Sequence, residues 1–189
     1  MSSGEIVFDI ETQSAALSDL RALRMSVIGC YFYDTDSFEV FEENELPQLW
    51  RRFEHASRLI GYNSKGFDLP VMNNYYSGDF LKFNNLDILE EIHKALGFRL
   101  KLDDVAGATI GAHKSGHGLQ AVEWWKQGEI NKIKEYCLQD VKITRDVYEY
   151  GLKYGALAYE DRLSGRKAIP VNFRKTEPVP MKINLTMGL

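Results

Sequence analysis

The sequence predicts an α/β domain built on a mixed five-stranded sheet flanked by helices. Three observations carry this expectation: two strand-like runs near the N-terminus joined by a tight turn, later strand segments alternating with helical patterns, and a long amphipathic stretch from Ile130 to Tyr150. Strands first, then strands alternating with helices, is the element order of an α/β domain with a mixed sheet.

Ile6 to Ile10 reads as the first strand, because Ile6, Phe8 and Ile10 alternate with Val7, Asp9 and Glu11, so the two acids project from the same face. Ser26–Tyr33 and Phe38–Phe41 read as strands two and three, closed into a hairpin by Asp34-Thr-Asp-Ser37. Leu46 to Ala56 is amphipathic, with Leu49, Trp50 and Phe53 inward. Leu59–Tyr62 is a fourth strand, followed by a loop from Asn63 to Asp68 and a helix through Tyr75. Phe83–Asp87 is the fifth strand, and Asp87 is placed to cap the helix Ile88–Leu96, which Gly97 stops, or alternatively to contact a functional site. Leu102–Ala108 is a short helix ending in Ile110-Gly111, and the weakly basic run Gly111–Gly118 is a loop. Helices over Leu119–Lys126 and Ile130–Tyr150 follow. Leu157–Asp161 and Lys167–Phe173 flank Ser164-Gly165 as a hairpin, and Pro178 and Pro180 mark an extended tail. The expected organisation is one domain over residues 1–155, with hairpin and tail at 156–189.

The 189 residues carry a formal net charge of −4, which argues against a protein that coats nucleic acid through bulk positive charge. An acidic site facing a polyanion must recruit cations. No stretch approaches the length of a membrane span, and the start Met1-Ser2-Ser3-Gly4-Glu5 lacks a signal pattern, so a cytoplasmic, membrane-free setting is expected. Cys30 and Cys137 sit in apolar contexts without metal-site spacing and read as buried thiols.

Four carboxylates stand in apolar sequence: Asp9 and Glu11, Asp68, and Asp140. Such groups are costly to ionise unless something positive meets them, and a pair of divalent ions is the usual reason for gathering four. On the helical wheel of Ile130–Gly151, Ile130, Ile133, Cys137, Val141, Val147 and Tyr148 define an inward arc that contains Asp140, with Tyr136 one turn earlier on the same side. Each acid has a simpler reading: Asp140 as a buried acid held by an arginine or backbone amides, Asp9 and Glu11 as a polar strand end, Asp68 as a helix cap.

The combination resembles the DEDD 3′-5′ exonucleases of the ribonuclease H-like superfamily. Asp9-Ile10-Glu11 matches their D-x-E motif, Asn63-Ser-Lys-Gly-Phe67-Asp68 their N-x-x-x-F-D motif, and Tyr136 stands four residues before Asp140, while Glu135 occupies the position of the alternative histidine. This is the DEDDy form, and the likeness is greatest to stand-alone bacterial domains similar to the proofreading exonuclease of family-B DNA polymerases. The resemblance implies a mixed five-stranded sheet, two Mg²⁺ or Mn²⁺ ions held by Asp9, Glu11, Asp68 and Asp140 with Asp9 bridging, and an attacking water oriented by Tyr136. It also implies hydrolysis of terminal phosphodiesters at single-stranded or frayed 3′ ends, DNA ahead of RNA, with a polymerase or helicase as a partner in trans.

Substrate contacts are read from position. Phe67 is placed beside the terminal base or in the core; Thr12 near the 3′-hydroxyl or at the strand end; Asn63 as loop anchor or sugar contact. Lys65, Lys101, Lys114 and His117 are candidates for steering phosphates, each also readable as a solvated charge, and Trp124-Trp125 offers one core ring and one partly exposed. Two competing readings are a non-catalytic module of the same fold that binds nucleic acid or a protein partner, and a structure-specific endonuclease of the superfamily.

Overall fold

The computed structural model describes residues 4–15, 19–113 and 118–174. Lys114, His117 and the tail with Pro178 and Pro180 lie outside the described residues. A five-stranded sheet of order β3-β2-β1-β4-β5 runs through the molecule, formed by β1 (Glu5–Thr12), β2 (Met25–Phe32), β3 (Ser37–Phe41), β4 (Arg58–Gly61) and β5 (Asn85–Asp87). β1, β2 and β3 pair antiparallel, whereas β1–β4 and β4–β5 pair parallel, which gives the mixed sheet the element order predicts.

The alternation along β1 divides the interior in two. Ile6, Phe8 and Ile10 pack with Leu49, Trp50 and Phe53 of α1 (Leu46–Glu54) on one face of the sheet. Val7 faces the other core, where α3 (Ile88–Leu96), α4 (Leu102–Ile110) and α6 (Ile130–Tyr154) contribute Ile88, Val105, Val141 and Val147. α2 (Asp68–Met72) and α5 (Gly118–Lys126) are the remaining α-helices among the described residues. Gly97 and Gly111, both left-handed, terminate α3 and α4. Among the described residues no helix is long and apolar enough to cross a membrane, and Cys30 and Cys137 are buried free thiols.

α2 ends at Met72 rather than continuing to Tyr75. The physical reason is that the next residues are bonded elsewhere: Asn73 turns its side chain to Asp79 and to the amide of Phe80, while the hydroxyl of Tyr75 accepts from the amide of Met25 and its carbonyl from the Trp50 indole. α6, by contrast, runs through Gly151 to Tyr154. Gly151 is a packing position: a Cβ there would lie 2.3 Å from the ring of Phe173.

The C-terminal hairpin, β6 (Ala156–Asp161) and β7 (Gly165–Pro170), forms its own two-stranded sheet, yet Leu157, Tyr159, Ile169 and Phe173 enter the same core as Val147 and Tyr148. One buried ion pair ties this segment to the main sheet. Arg58 donates from Nε to Glu5 (2.9 Å), from Nη1 to the carbonyl of Phe173 (2.8 Å) and from Nη2 to the hydroxyl of Tyr148, which in turn donates to Glu5 (3.1 Å). Removing one partner of a buried pair leaves an uncompensated charge, which costs about 3–5 kcal/mol, whereas replacing both with apolar groups is often close to neutral. Arg58→Met should therefore lower urea stability by about that amount, and Arg58→Met with Glu5→Leu should recover at least half of the loss; equal losses in both variants would show that packing, not the charge, is what Arg58 supplies.

Candidate metal centre and nucleic-acid cleft

The candidate site lies at the C-terminal end of β1, where the strand ladder gives out. β1 pairs with β4 only as far as Val7 and Ile60. Beyond that point the amide of Ile10 needs another acceptor, and Oδ1 of Asp68 supplies it at 3.2 Å. Asp68 is thus the first residue of α2 and not its cap; Phe67 holds the cap position without a side-chain bond. The loop before it is pinned by Asp87, whose carboxylate accepts from the amides of Asn63 (2.8 Å) and Lys65 (3.0 Å) as well as from Leu89 and Glu90 at the start of α3. The predicted cap of α3 is therefore also the anchor of the Asn63–Asp68 loop.

Asp140 reaches the same point from α6. The helix crosses β2 and β1 closely because β2 carries Gly29 opposite Asp9. A Cβ on Gly29 would lie 2.9 Å from Sγ of Cys137 and 3.0 Å from Val141. The Cys137 thiol donates to the carbonyl of Asp9 at 3.4 Å. Burial, and then the carboxylates of Asp9, Glu11 and Asp140, push that thiol well above its ordinary value, so it stays protonated.

One carboxylate oxygen from each of Asp9, Glu11 and Asp140 falls within 4.8 Å of the others, and Glu11 and Asp140 are buried. At an effective dielectric near 20, each pair of charges at such a distance repels by about 3 kcal/mol. A cation among them turns that repulsion into attraction. The donor set is all oxygen, which fits a hard divalent ion such as Mg²⁺ or Mn²⁺. Asp68 stands outside this close group but lines the same cleft. Tyr136, buried against Trp124, has its hydroxyl pushed above the ordinary phenol value by burial, then by Asp140, Glu11 and Asp9, with Asp140 also in hydrogen-bond contact. It is therefore a donor at neutral pH.

The cleft has a volume of about 370 Å³, and Asp9, Glu11, Thr12, Asn63, Phe67, Asp68, Tyr136 and Asp140 all line it. Lys65 does not line it; its ammonium pairs with Glu90 at 2.5 Å. Thr12 donates to the carbonyl of Ser14 at 2.8 Å, and Phe67 is half-buried against the α1-side core while still forming part of the wall. The sequence reading missed Tyr62, Leu119 and Val122, which supply the apolar walls. Leu119 had a faint signal, as a large apolar residue directly after the Gly-rich run; it is 64% exposed at the rim. Of the adjacent tryptophans, Trp124 packs against Tyr136 but is only partly buried where the helical spacing predicts a core ring, and Trp125 is exposed to 36%.

Residues 6–151 match the sequence description of the RNase H superfamily. The chain belongs to the RNase H superfamily. No curated protein sequence shows significant similarity to it. Among solved structures, the family B DNA polymerase from the hyperthermophilic archaeon Pyrobaculum calidifontis is similar, with a TM-score of 0.62 and 18% identity over 80% of this chain and 25% of the polymerase chain. At that identity the likeness is one of fold, and it spans about a quarter of the polymerase. Membership of the RNase H superfamily together with the acidic cluster supports a nuclease that acts on nucleic acid.

If the approach of α6 to β2 sets the cluster, Gly29→Val should separate Asp140 from Asp9. Overpacking of this kind costs about 1–3 kcal/mol, and the rise in melting temperature produced by Mn²⁺ should shrink in the same variant. An unchanged Mn²⁺ response would show that the carboxylates are placed independently of this contact.

Proposed function

We propose that the protein is a divalent-metal-dependent 3′-5′ exonuclease of the DEDDy type, releasing nucleoside monophosphates from single-stranded or frayed 3′ ends. The observation that carries this reading is the meeting of Asp9, Glu11 and Asp140 within 4.8 Å, in one cleft with Asp68 and Tyr136. Asp9, Glu11, Asp68 and Asp140 are the residues that would hold two ions. When bound, these ions supply a water of lowered pKa and stabilise the departing 3′-oxygen.

The chain's own groups do the rest. Tyr136, kept protonated, donates a hydrogen bond that orients the attacking water, a role in which a neutral phenol serves and a phenolate would not. Thr12, whose hydroxyl donates to the carbonyl of Ser14, lines the cleft with Glu11 and is the residue assigned to the free 3′-hydroxyl. Phe67, Tyr62, Leu119 and Val122 offer apolar walls to an unstacked terminal base, which favours single strands over paired ends. The preference for DNA over RNA, and a polymerase or helicase as a partner in trans, rest on the fold likeness to a DNA polymerase alone.

The deciding experiment incubates 5′-labelled single-stranded DNA and RNA of one sequence with Mg²⁺, Mn²⁺ or chelator. A ladder that shortens from the 3′ end only with metal, and an intact circular single strand, are expected; cutting of the circle would assign an endonuclease instead. Asp9→Asn should lower the rate by at least about a thousandfold, since it removes a shared metal ligand. A variant keeping a tenth of wild-type activity would refute the site. Tyr136→Phe should lower kcat by about ten- to a hundredfold with binding preserved, and an unchanged single-turnover rate would reduce Tyr136 to a packing residue.

A further inference from the structure

Asn63 occupies an unusual backbone position. Its φ is 64°, in the left-handed region that asparagine tolerates better than most residues, and Asp87 holds its amide at 2.8 Å. Its side chain forms part of the cleft wall, and its Oδ1 accepts a hydrogen bond from Nη2 of Arg99. Arginine has donors only, so the amide atom facing Arg99 must be the oxygen. The donors of the amide are then on Nδ2, the end turned away from Arg99. Gly66 makes this orientation sterically available: a Cβ there would lie 2.7 Å from Asn63 Oδ1.

Arg99 itself is exposed, and among the described residues no carboxylate lies within ion-pair distance of it. Other cations nearby are differently placed: Lys65 is paired with Glu90, and Lys94 with Glu90 and Glu91. A guanidinium that spends one donor on a neutral amide keeps its full charge and its remaining N–H groups beside Asn63, one residue outward from a cleft lined by four acids. Those acids repel a polyanion, so an entering strand needs a cationic contact close to, but not on, the metal ligands.

We infer that Arg99 and Asn63 form a two-residue grip for a backbone phosphate of the strand entering the cleft, with Arg99 supplying charge and fixing the Asn63 amide so that its donors face the strand. The grip rests on the proposed nuclease reading for its substrate class, a single-stranded nucleic acid. It lies off the carboxylate cluster, so it serves a phosphate other than the one being cleaved. Arg99 acts on binding and Asn63 on placement; neither supplies a proton or a nucleophile.

The test uses the full chain and a 5′-fluorescein single-stranded oligonucleotide, with binding read by anisotropy in chelator and turnover read separately with Mn²⁺. Arg99→Gln should raise Kd and KM about tenfold with kcat within twofold, and should reduce the slope of log K against log salt by about 0.7, the value for one lost phosphate contact on a single strand. Arg99→Lys should restore the salt slope but not all of the affinity, because lysine keeps the charge and loses the fork. Gly66→Ala, which displaces the Asn63 amide and leaves Arg99 intact, should raise Kd with the slope unchanged. Asn63→Ala with Arg99→Gln should be no weaker than about the worse single variant, as expected for residues acting as one unit. Arg99→Gln with unaltered Kd and salt slope, or with a loss confined to kcat, would overturn the grip, as would a wild type that binds no oligonucleotide. A wild type that binds but does not hydrolyse would refute the exonuclease reading while leaving the grip to be judged by anisotropy.

Discussion

The close packing of α6 on the centre of the sheet is the contact on which the rest depends. It is possible because Gly29 presents no side chain to Cys137 and Val141. It brings an acid from residue 140 to a strand that carries acids at 9 and 11. Helices normally pack on sheets through a layer of apolar side chains, and at Gly29 that layer lacks one side chain. The same contact buries Cys137, which keeps its thiol protonated and lets it donate to the carbonyl of Asp9.

Around that contact the site is assembled from backbone needs that have little to do with chemistry. β4 stops pairing with β1 before the acids are reached, and Asp68 fills the vacancy at the Ile10 amide. Asp87 gathers four amides from two segments, which fixes the Asn63 loop and starts α3 together. Each of these acids has a local structural duty that also orients the cleft. Strain is small, with Asn63 and Asp36 the non-glycine residues at positive φ among those described.

The regular elements were legible because their signals are local. The alternation of Ile6, Phe8 and Ile10 against Val7, Asp9 and Glu11 places the acids on one face without any tertiary knowledge, and the arc of Ile133, Cys137 and Val141 carries Asp140 inward. What escaped depends on partners distant in sequence. The early end of α2 follows from Tyr75 bonding back to Met25, and the extension of α6 through Gly151 from a ring that arrives at residue 173. Lys65 reads as a free cation until Glu90, twenty-five positions on, is seen beside it. Arg99 gives no sign in its own neighbourhood of reaching Asn63.

The buried cluster of Arg58, Glu5, Tyr148 and the Phe173 carbonyl has a consequence for where this protein can be cut. The stretch that matches the superfamily closes at residue 151, in the last turn of α6 but one. The guanidinium at the base of the central strands, however, finds one of its acceptors at residue 173, and the rings and branched chains of β6 and β7 fill the core beside it. A fragment trimmed to the inherited boundary would keep every acid of the cleft and lose the floor on which Tyr148 and Gly151 rest. The stretch that matches the superfamily and the core that these side chains share thus have different ends.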